Sequence, residues 1–194
     1  ALESEAALLL AMQLAQAFED SSASDKPAAQ AWQRIMTPAA KFWVCKRAIA
    51  CSAEAMEVLG GNGYIESSAL ARLYREAPVN SIWEGSGNVM CLDVLKALQR
   101  APDLRDALWN ALQTMAKDDI SIQQALQRLQ RQWLAFEHDA WAQQAQARQW
   151  VQQLVLVAQA GLMRQHADNA HADAFVASRL GPDCSLGVIG ASPL

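Results

Sequence analysis

Residues 82–92 read Ile-Trp-Glu-Gly-Ser-Gly-Asn-Val-Met-Cys-Leu, and this stretch decides how the rest of the sequence is interpreted. One carboxylate, Glu84, stands between a bulky apolar pair and a flexible Gly-Ser-Gly corner. Ser86 is a favourable N-cap residue, and the apolar positions after it recur at the spacing of an amphipathic helix. The stretch therefore predicts a turn that leads into a helix beginning at Gly87.

The first turn of this helix is suited to hold a ligand. Its backbone N–H groups have no partner inside the helix and favour an anion. Gly85 and Gly87 have no Cβ, so a flat or phosphorylated ligand could approach the backbone closely. Trp83 would shield the Glu84 carboxylate from water and strengthen it as a base. The alternative is a plain helix-entry turn with Glu84 in water, and the turn alone leaves both interpretations open.

Two further blocks precede this turn. Residues 57–64 read Glu-Val-Leu-Gly-Gly-Asn-Gly-Tyr, and residues 71–77 read Ala-Arg-Leu-Tyr-Arg-Glu-Ala. The glycines follow a helical pattern instead of a strand and lack the G-x-G-x-x-G spacing, so they are not a dinucleotide fingerprint. On their own, Gly60 and Gly61 predict a helix C-cap, and the two arginines predict a solvated or ion-paired helix face.

Together, the three blocks resemble the C-terminal helical domain of the acyl-CoA dehydrogenase family. The family pattern is a helix ending in Gly-Gly-x-Gly-Tyr/Phe, an arginine-bearing helix, and a Tyr-Glu-Gly-Thr/Ser turn. Each block alone is a weak signal, whereas three in the same order within about thirty residues are specific. Glu57 departs from the glutamine that is usual one turn before the glycines.

The resemblance implies a homotetrameric FAD protein that acts on an acyl-CoA thioester, with an isovaleryl-CoA-like substrate as the nearest expectation. Glu84 would be the catalytic base that removes the α-proton while a hydride passes to flavin N5. Ser86 and Asn88 match flavin-contacting positions, and the glycine loop would approach a neighbouring subunit's flavin. The expected cofactor-binding residues are Ile82, Trp83, Gly85, Ser86, Gly87, Asn88, Val89, Leu92, Gly60 and Gly61. Most of the flavin and CoA site would lie outside this chain, so the chain alone is expected to be inactive.

The chain as a whole is predicted to be all-α. Of its 194 residues, 52% are hydrophobic, which is enough for a packed core, and no segment keeps the alternation of a strand. The Ala-Pro-Asp break at 101–103 predicts a domain boundary. We therefore expect an acyl-CoA-dehydrogenase-like helical domain at 1–100 and a second small helical domain at 103–194.

Local signals predict where helices begin and end. A polar, serine-rich stretch at 20–26 predicts a loop, Thr37-Pro38 predicts a restart or bend, and Pro78 is expected to stop its helix. Beyond the boundary, apolar stripes predict helices over 104–115, 122–136 and 141–162. A last short helix is expected near 175–180, followed by a tail.

The segment after Leu98 has no place in the basic family. It is similar to the extra helical domain of the acyl-CoA-dehydrogenase-like flavoproteins of the bacterial response to DNA alkylation, in which that domain binds duplex DNA. Net charge is −4, and residues 100–194 contain eight Lys/Arg and nine Asp/Glu, so a DNA surface would require segregated charge. The expected DNA-binding residues, on one outer face, are Arg105, Arg128, Arg131, Arg148, Arg164 and Arg179. The alternative is an ordinary dehydrogenase whose extra helices serve oligomerisation.

Composition disfavours two other classes of protein. The histidines and cysteines lack the spacing of a zinc site, so no metal is expected; they are His138, His166, His171, Cys45, Cys51, Cys91 and Cys184. No stretch reaches the roughly 18 apolar residues that cross a bilayer, so no membrane association is expected. The scattered cysteines fit a reduced, cytoplasmic setting.

Because the sequence starts within a helical pattern and without Met, we expect it to be part of a longer protein.

Overall fold

The computed structural model describes residues 1–23 and 26–181. Within these ranges the chain is helical and contains no strand, which confirms the all-α prediction. The elements are α1 (Leu2–Ala23), α2 (Pro27–Ala31), a π-helical segment (Trp32–Met36), α3 (Thr37–Val58), α4 (Gly61–Tyr64), α5 (Ala69–Asn80), α6 (Gly87–Arg100), α7 (Pro102–Ala116), α8 (Ile120–Phe136), α9 (Ala140–His166) and α10 (Asn169–Leu180). The predicted tail lies outside the described residues.

Helix α3 organises the first half of the chain, because α4, α5 and α6 all pack against it. An irregularity was expected at Thr37-Pro38, and the structure has a π-helical segment that ends at Met36, immediately before α3. Pro38 has no N–H to donate, and a wider turn accommodates its ring. Arg34, in this segment, donates two hydrogen bonds to the Asp93 carboxylate at 2.8 and 2.9 Å and thereby links it to α6.

Helix α9 is the centre of the whole fold. Residues 154–163 are all buried, so the helix is covered on every side instead of along one stripe. It packs against α1, α3 and α6 as well as α7, α8 and α10. Gly161 allows close contact with α7, because a Cβ there would lie 3.0 Å from the Met115 Cβ. Helix α6 ends just before Ala101 and α7 begins just after it, where the boundary was predicted, but the described residues on the two sides of it share one hydrophobic core. Their status as two domains stays a prediction.

Aromatic side chains fill the junction of α7, α8 and α9. The Trp133 and Trp150 ring centroids lie 5.5 Å apart, and Trp109 meets Trp150 edge-on at 6.0 Å. Edge-to-face and tilted arrangements are favourable for such rings. The Trp150 indole N–H donates to the Leu129 carbonyl oxygen at 3.1 Å. Trp141 was expected to begin the apolar stripe over 141–162 that contains Trp150. It is instead 81% exposed, because it lies in the first turn of α9, beyond the core.

Two helices are longer than their sequence signals indicated. Helix α1 extends to Ala23, into the expected loop, and the Ser21 and Ser22 hydroxyls donate to the Phe18 carbonyl oxygen. Such bonds satisfy carbonyl groups in the last turns of a helix. Helix α5 passes Pro78 and ends at Asn80. A proline in the last turn removes one backbone hydrogen bond without preventing the helix from finishing.

Asp119 connects the start of α8 to the end of α9. Its carboxylate accepts hydrogen bonds from the Ser121 and Ile122 N–H groups at 2.9 and 3.1 Å, and from Arg164 Nε at 2.7 Å. Burial opposes ionisation of this carboxyl, but the hydrogen bonds and the arginine outweigh burial and lower its pKa. The ionised Asp119 therefore stabilises the fold at pH values above the ordinary pKa of an aspartate. This stabilisation is lost as pH falls through the lowered pKa.

We expect Asp119→Ala to lower the free energy of unfolding by about 1–2 kcal/mol, because it removes an N-cap and a partly buried ion pair. Urea denaturation at neutral pH measures the change. Asp139→Ala is the matched control, since Asp139 caps α9 through the Trp141 and Ala142 N–H groups in the same way. Equal losses for the two variants would show that Arg164 adds nothing to the cap.

Candidate functional site

The turn between α5 and α6 has an unusual backbone. Glu84 has φ +52°, the one positive value for a non-glycine residue within the described ranges, and Gly85 follows with φ +116°. Left-handed φ values cost free energy for residues that carry a Cβ, so such a conformation persists where its surroundings hold it. Helix α6 begins at Gly87, as predicted.

Lys41, at the start of α3, holds this turn. Its ammonium group donates to the Trp83 carbonyl oxygen at 2.7 Å and to the Gly85 carbonyl oxygen. One cation therefore holds the Trp83–Glu84 and Gly85–Ser86 peptide units, which lie just before and just after the Glu84–Gly85 pair with positive φ. This contact could not be predicted from the sequence, because Lys41 lies 42 residues before Trp83 and belongs to another helix.

The first turn of α6 combines a buried Gly87 with an exposed Asn88. Ser86 occupies the N-cap position, but its side chain makes no capping hydrogen bond, which corrects the expectation that its hydroxyl caps the helix. The N–H groups of this turn therefore lack a side-chain partner from Ser86. A Cβ on Gly87 would lie 3.2 Å from the ring of Phe42, so glycine allows the backbone to approach α3 closely.

The apolar side chains around Glu84 face outward. Ile82 and Trp83 are 64% and 60% exposed, and Val89 and Leu92 are exposed on the outer side of α6. Glu84 is exposed as well, so within this chain Trp83 does not shield it from water. Exposed apolar side chains that lie close together are typical of surfaces that bind a ligand or another protein.

The predicted glycine loop forms a second exposed surface. Helix α3 ends at Val58, and Gly60 follows with φ +56°, which meets the expectation that glycine ends this helix. Gly61 begins the short α4 and is exposed. Gly63 is buried against the backbone of Met56, where a Cβ would clash. The exposed apolar side chains beside this loop are Val58, Leu59, Tyr64 and Ile65.

The six arginines expected on one outer face have different surroundings. Arg128 and Arg131 are exposed on α8. Arg105 pairs with Asp106, and Arg164 pairs with Asp119 and Asp173. Arg179 is only 7% exposed and pairs with Glu3, so it cannot belong to an outward-facing set. Arg148 is directed to the first turn of α6, where it donates to the Asn88 side chain at 3.0 Å.

Charge is segregated in the second half of the chain. Helices α8 and α9 contain no acidic residue and carry Arg128, Arg131, Arg148 and Arg164. The acidic side chains nearby lie in the connecting turns and on α7 and α10. A groove of about 580 Å³ between α8, α9 and the end of α10 is lined by Arg128 and by Gln124, Gln132, Gln152 and Gln153.

The residues that the structure describes contain neither a candidate metal site nor a membrane-spanning helix. No group of three or more His, Cys, Asp or Glu side chains is placed to hold a metal ion there. Nor does any helix in that part of the chain combine the length and apolar character needed to cross a bilayer.

Burial raises the pKa of the Cys91 thiol to about 12, with Arg148 opposing the shift, so this thiol stays protonated at neutral pH.

Comparison with known proteins identifies the family. The model of the acyl-CoA dehydrogenase C-terminal domain matches residues 1–99, and the chain belongs to the acyl-CoA dehydrogenase family. Over 132 residues it is 52% identical to the putative acyl-CoA dehydrogenase AidB of Escherichia coli strain K12. That match covers 68% of this chain and 24% of AidB, so the chain spans about a quarter of its relative's length. Acyl-CoA dehydrogenase family member 11 of Caenorhabditis elegans is 44% identical over 63 residues, or 32% of this chain and 10% of that protein.

Two solved structures share the fold. The crystal structure of Caenorhabditis elegans ACDH-11 in complex with C11-CoA has a TM-score of 0.79 at 23% identity, over 90% of this chain and 33% of that one. Bd2924 in its apo-form has a TM-score of 0.75 at 24% identity, over 86% of this chain and 32% of that one. Matches this extensive reach well beyond residue 99, so the helices after α6 have counterparts in other proteins.

Proposed function

We propose that this chain is the C-terminal part of an FAD-containing, acyl-CoA dehydrogenase-like protein that also binds duplex DNA and takes part in the response to DNA alkylation damage. In this proposal the intact protein is a cytoplasmic homotetramer, Glu84 is its catalytic base, and an acyl-CoA is a possible substrate. The observation that carries the flavin part is the turn at 82–87, in a chain whose first half matches the family. There, a lysine-anchored, left-handed backbone presents one exposed carboxylate.

The residues of this turn fit a flavin. The N–H groups in the first turn of α6 can donate hydrogen bonds to an anionic or carbonyl oxygen, and the exposed apolar side chains of Ile82, Trp83 and Val89 offer a surface to a flat ring. Bound FAD would supply the hydride acceptor. This chain would contribute Glu84 to take the substrate α-proton, and Lys41 to hold the base in position. Burial of Glu84 would then come from the ligand and from protein surfaces outside this chain.

The DNA part of the proposal rests on the resemblance described above and on the charge of α8 and α9. Two neighbouring helices without acidic residues allow phosphates to approach the exposed Arg128 and Arg131. Nothing on these helices marks side chains for reading base edges, so contacts to phosphate should dominate. Arg105 and Arg164 already pair with carboxylates, so we expect smaller contributions from them.

We expect the double variant Arg128→Ala/Arg131→Ala to bind unrelated duplexes more weakly by similar factors. Each lost phosphate contact should make the log–log dependence of affinity on salt shallower by about 0.9, and therefore by up to about two units in all. Titrations of two unrelated duplexes at several salt concentrations measure both quantities. Lys96→Ala/Arg100→Ala is the control, since it removes the same charge from exposed positions on α6.

Two outcomes would contradict the DNA part. If the double variant binds with the parent's affinity and salt slope, α8 is not the DNA surface. If the intact protein shows no salt-dependent binding, the DNA function itself is wrong.

The similarity to ACDH-11 favours a second candidate function. That structure contains a bound C11-CoA and shares the fold over 90% of this chain, including helices beyond residue 99. The second candidate is an ordinary acyl-CoA dehydrogenase, with an isovaleryl-CoA-like substrate, whose helices after α6 serve oligomerisation. Acyl-CoA-dependent flavin reduction without DNA binding would support it.

A further inference from the structure

Arg148 brings the second half of the chain into contact with the candidate flavin turn. Its Nη1 donates to Asn88 Oδ1 at 3.0 Å, and its guanidinium carbon lies 5.4 Å from the centroid of the Phe42 ring. The side chain is therefore held by a hydrogen bond on one side and by an aromatic ring on the other. It is anchored although Arg148 lies on an exposed part of α9.

This contact determines which end of the Asn88 amide remains available. A guanidinium group has donors and no acceptor, so the amide atom that faces it must be the carbonyl oxygen. The NH₂ group of Asn88 is then directed away from Arg148. That NH₂ group can donate a hydrogen bond to an acceptor atom near the first turn of α6.

Phe42 joins Arg148 to the backbone of the same turn. The ring lies so close to Gly87 that a Cβ there would be 3.2 Å away, and the guanidinium group of Arg148 lies over the same ring. The preceding residue, Lys41, holds the carbonyls on both sides of Glu84. Support for the turn thus comes from α3 and, through Arg148, from α9.

We infer that Arg148 is a positioning residue for the flavin turn: it orients Asn88 so that the Asn88 amide donates a hydrogen bond to an acceptor atom of the bound cofactor. This inference rests on the proposed FAD site. It removes Arg148 from the candidate DNA-binding residues and gives the helices after α6 a direct part in cofactor binding.

The test is a double-mutant cycle on FAD affinity in the intact apo-protein, with Arg148→Ala, Asn88→Ala and the double variant. Loss of a charge-assisted hydrogen bond at a partly exposed site should weaken FAD binding roughly 5- to 20-fold in Arg148→Ala. If Arg148 acts through Asn88, its replacement should have little further effect once Asn88 is alanine. Arg148→Lys should restore only part of the affinity, because lysine lacks the planar fork. Arg100→Ala, an exposed arginine on α6, is the control for lost charge.

A second variant separates orientation from donation. Asn88→Asp keeps an acceptor for Arg148 and removes the NH₂ donor, so FAD affinity should fall while amide hydrogen exchange across 84–90 of the apo-protein stays as in the parent. Arg148→Ala should speed that exchange.

The outcomes distinguish the two proposals. Independent, multiplying effects in the cycle, or unchanged FAD affinity in Arg148→Ala, overturn the inference and leave the proposed FAD site intact. An intact parent protein that binds no FAD overturns the proposed function, and the inference with it.

Discussion

Replacing Glu84 with glutamine is expected to abolish acyl-CoA-dependent flavin reduction in the intact protein while its FAD content stays unchanged. Glutamine has the same shape and still forms hydrogen bonds, but it cannot take up the α-proton. Loss of a general base commonly slows a reaction by about 10² to 10⁴-fold. Stopped-flow absorbance at the flavin bands measures the reduction rate directly, and the same spectra report the FAD content.

The control for this experiment is Glu76→Gln, which removes an exposed carboxylate from α5 outside the turn. It should reduce at the parent rate. Reduction at the parent rate by Glu84→Gln would exclude Glu84 as the base, even if the protein binds FAD normally. Loss of FAD together with loss of reduction would instead indicate that the carboxylate supports the turn.

Replacement of Glu3 with alanine is expected to destabilise the fold by about 3–5 kcal/mol, because it leaves closely spaced buried cations without their shared carboxylate. Glu3 accepts hydrogen bonds from Arg47 Nε at 3.1 Å and from Arg179 Nη2 at 2.6 Å. The Glu3 and Arg179 side chains are 14% and 7% exposed. The cluster joins α1, α3 and α10, so its loss affects both halves of the chain. Urea denaturation at neutral pH measures the change.

The pH dependence gives an independent check on this cluster. Burial opposes ionisation of Glu3, but the two arginines outweigh burial and hold its pKa below the usual range. The contribution of Glu3 to the free energy of unfolding is therefore complete above the ordinary carboxyl pKa, and it is lost as pH falls through the lowered pKa. In Glu3→Ala, the free energy of unfolding should lose this part of its dependence on pH.

Glu66→Ala is the control for the cluster. The ion pair of Glu66 with Arg75 is exposed, so the free energy of unfolding should hardly change. Equal effects of both variants would contradict a special role for the buried cluster.

Much of the fold was predictable because local signals and tertiary packing agree. The turn before Gly87 and the break at Ala101 correspond to observed helix ends, and the apolar stripes beyond Ala101 correspond to α7, α8 and α9. Helix ends were less predictable where a side chain satisfies backbone groups, as at Ser21 and Ser22, or where a proline lies in the last turn. In these places the choice between ending the helix and continuing it by a turn depends on a single hydrogen bond.

The supporting residues of the candidate site could not be predicted. Lys41 and Arg148 are 42 and 60 residues away from the turn residues they contact, and neither belongs to a motif. A lysine or arginine on a helix reads as a solvated side chain until the neighbouring helix is known. The same reason applies to Arg179, which was expected outside and is buried against Glu3 because α1 and α10 meet there.

The all-round burial of α9 has a consequence for any attempt to divide this protein. A cut at 101–103 would sever the chain between α6 and α7, yet it would leave the strongly apolar 154–163 segment packed against α1, α3 and α6. The two pieces should therefore stay together after limited proteolysis. Expressed separately, they should be poorly folded alone and should regain structure on mixing, as complementing fragments do, since each lacks the other half of a common core.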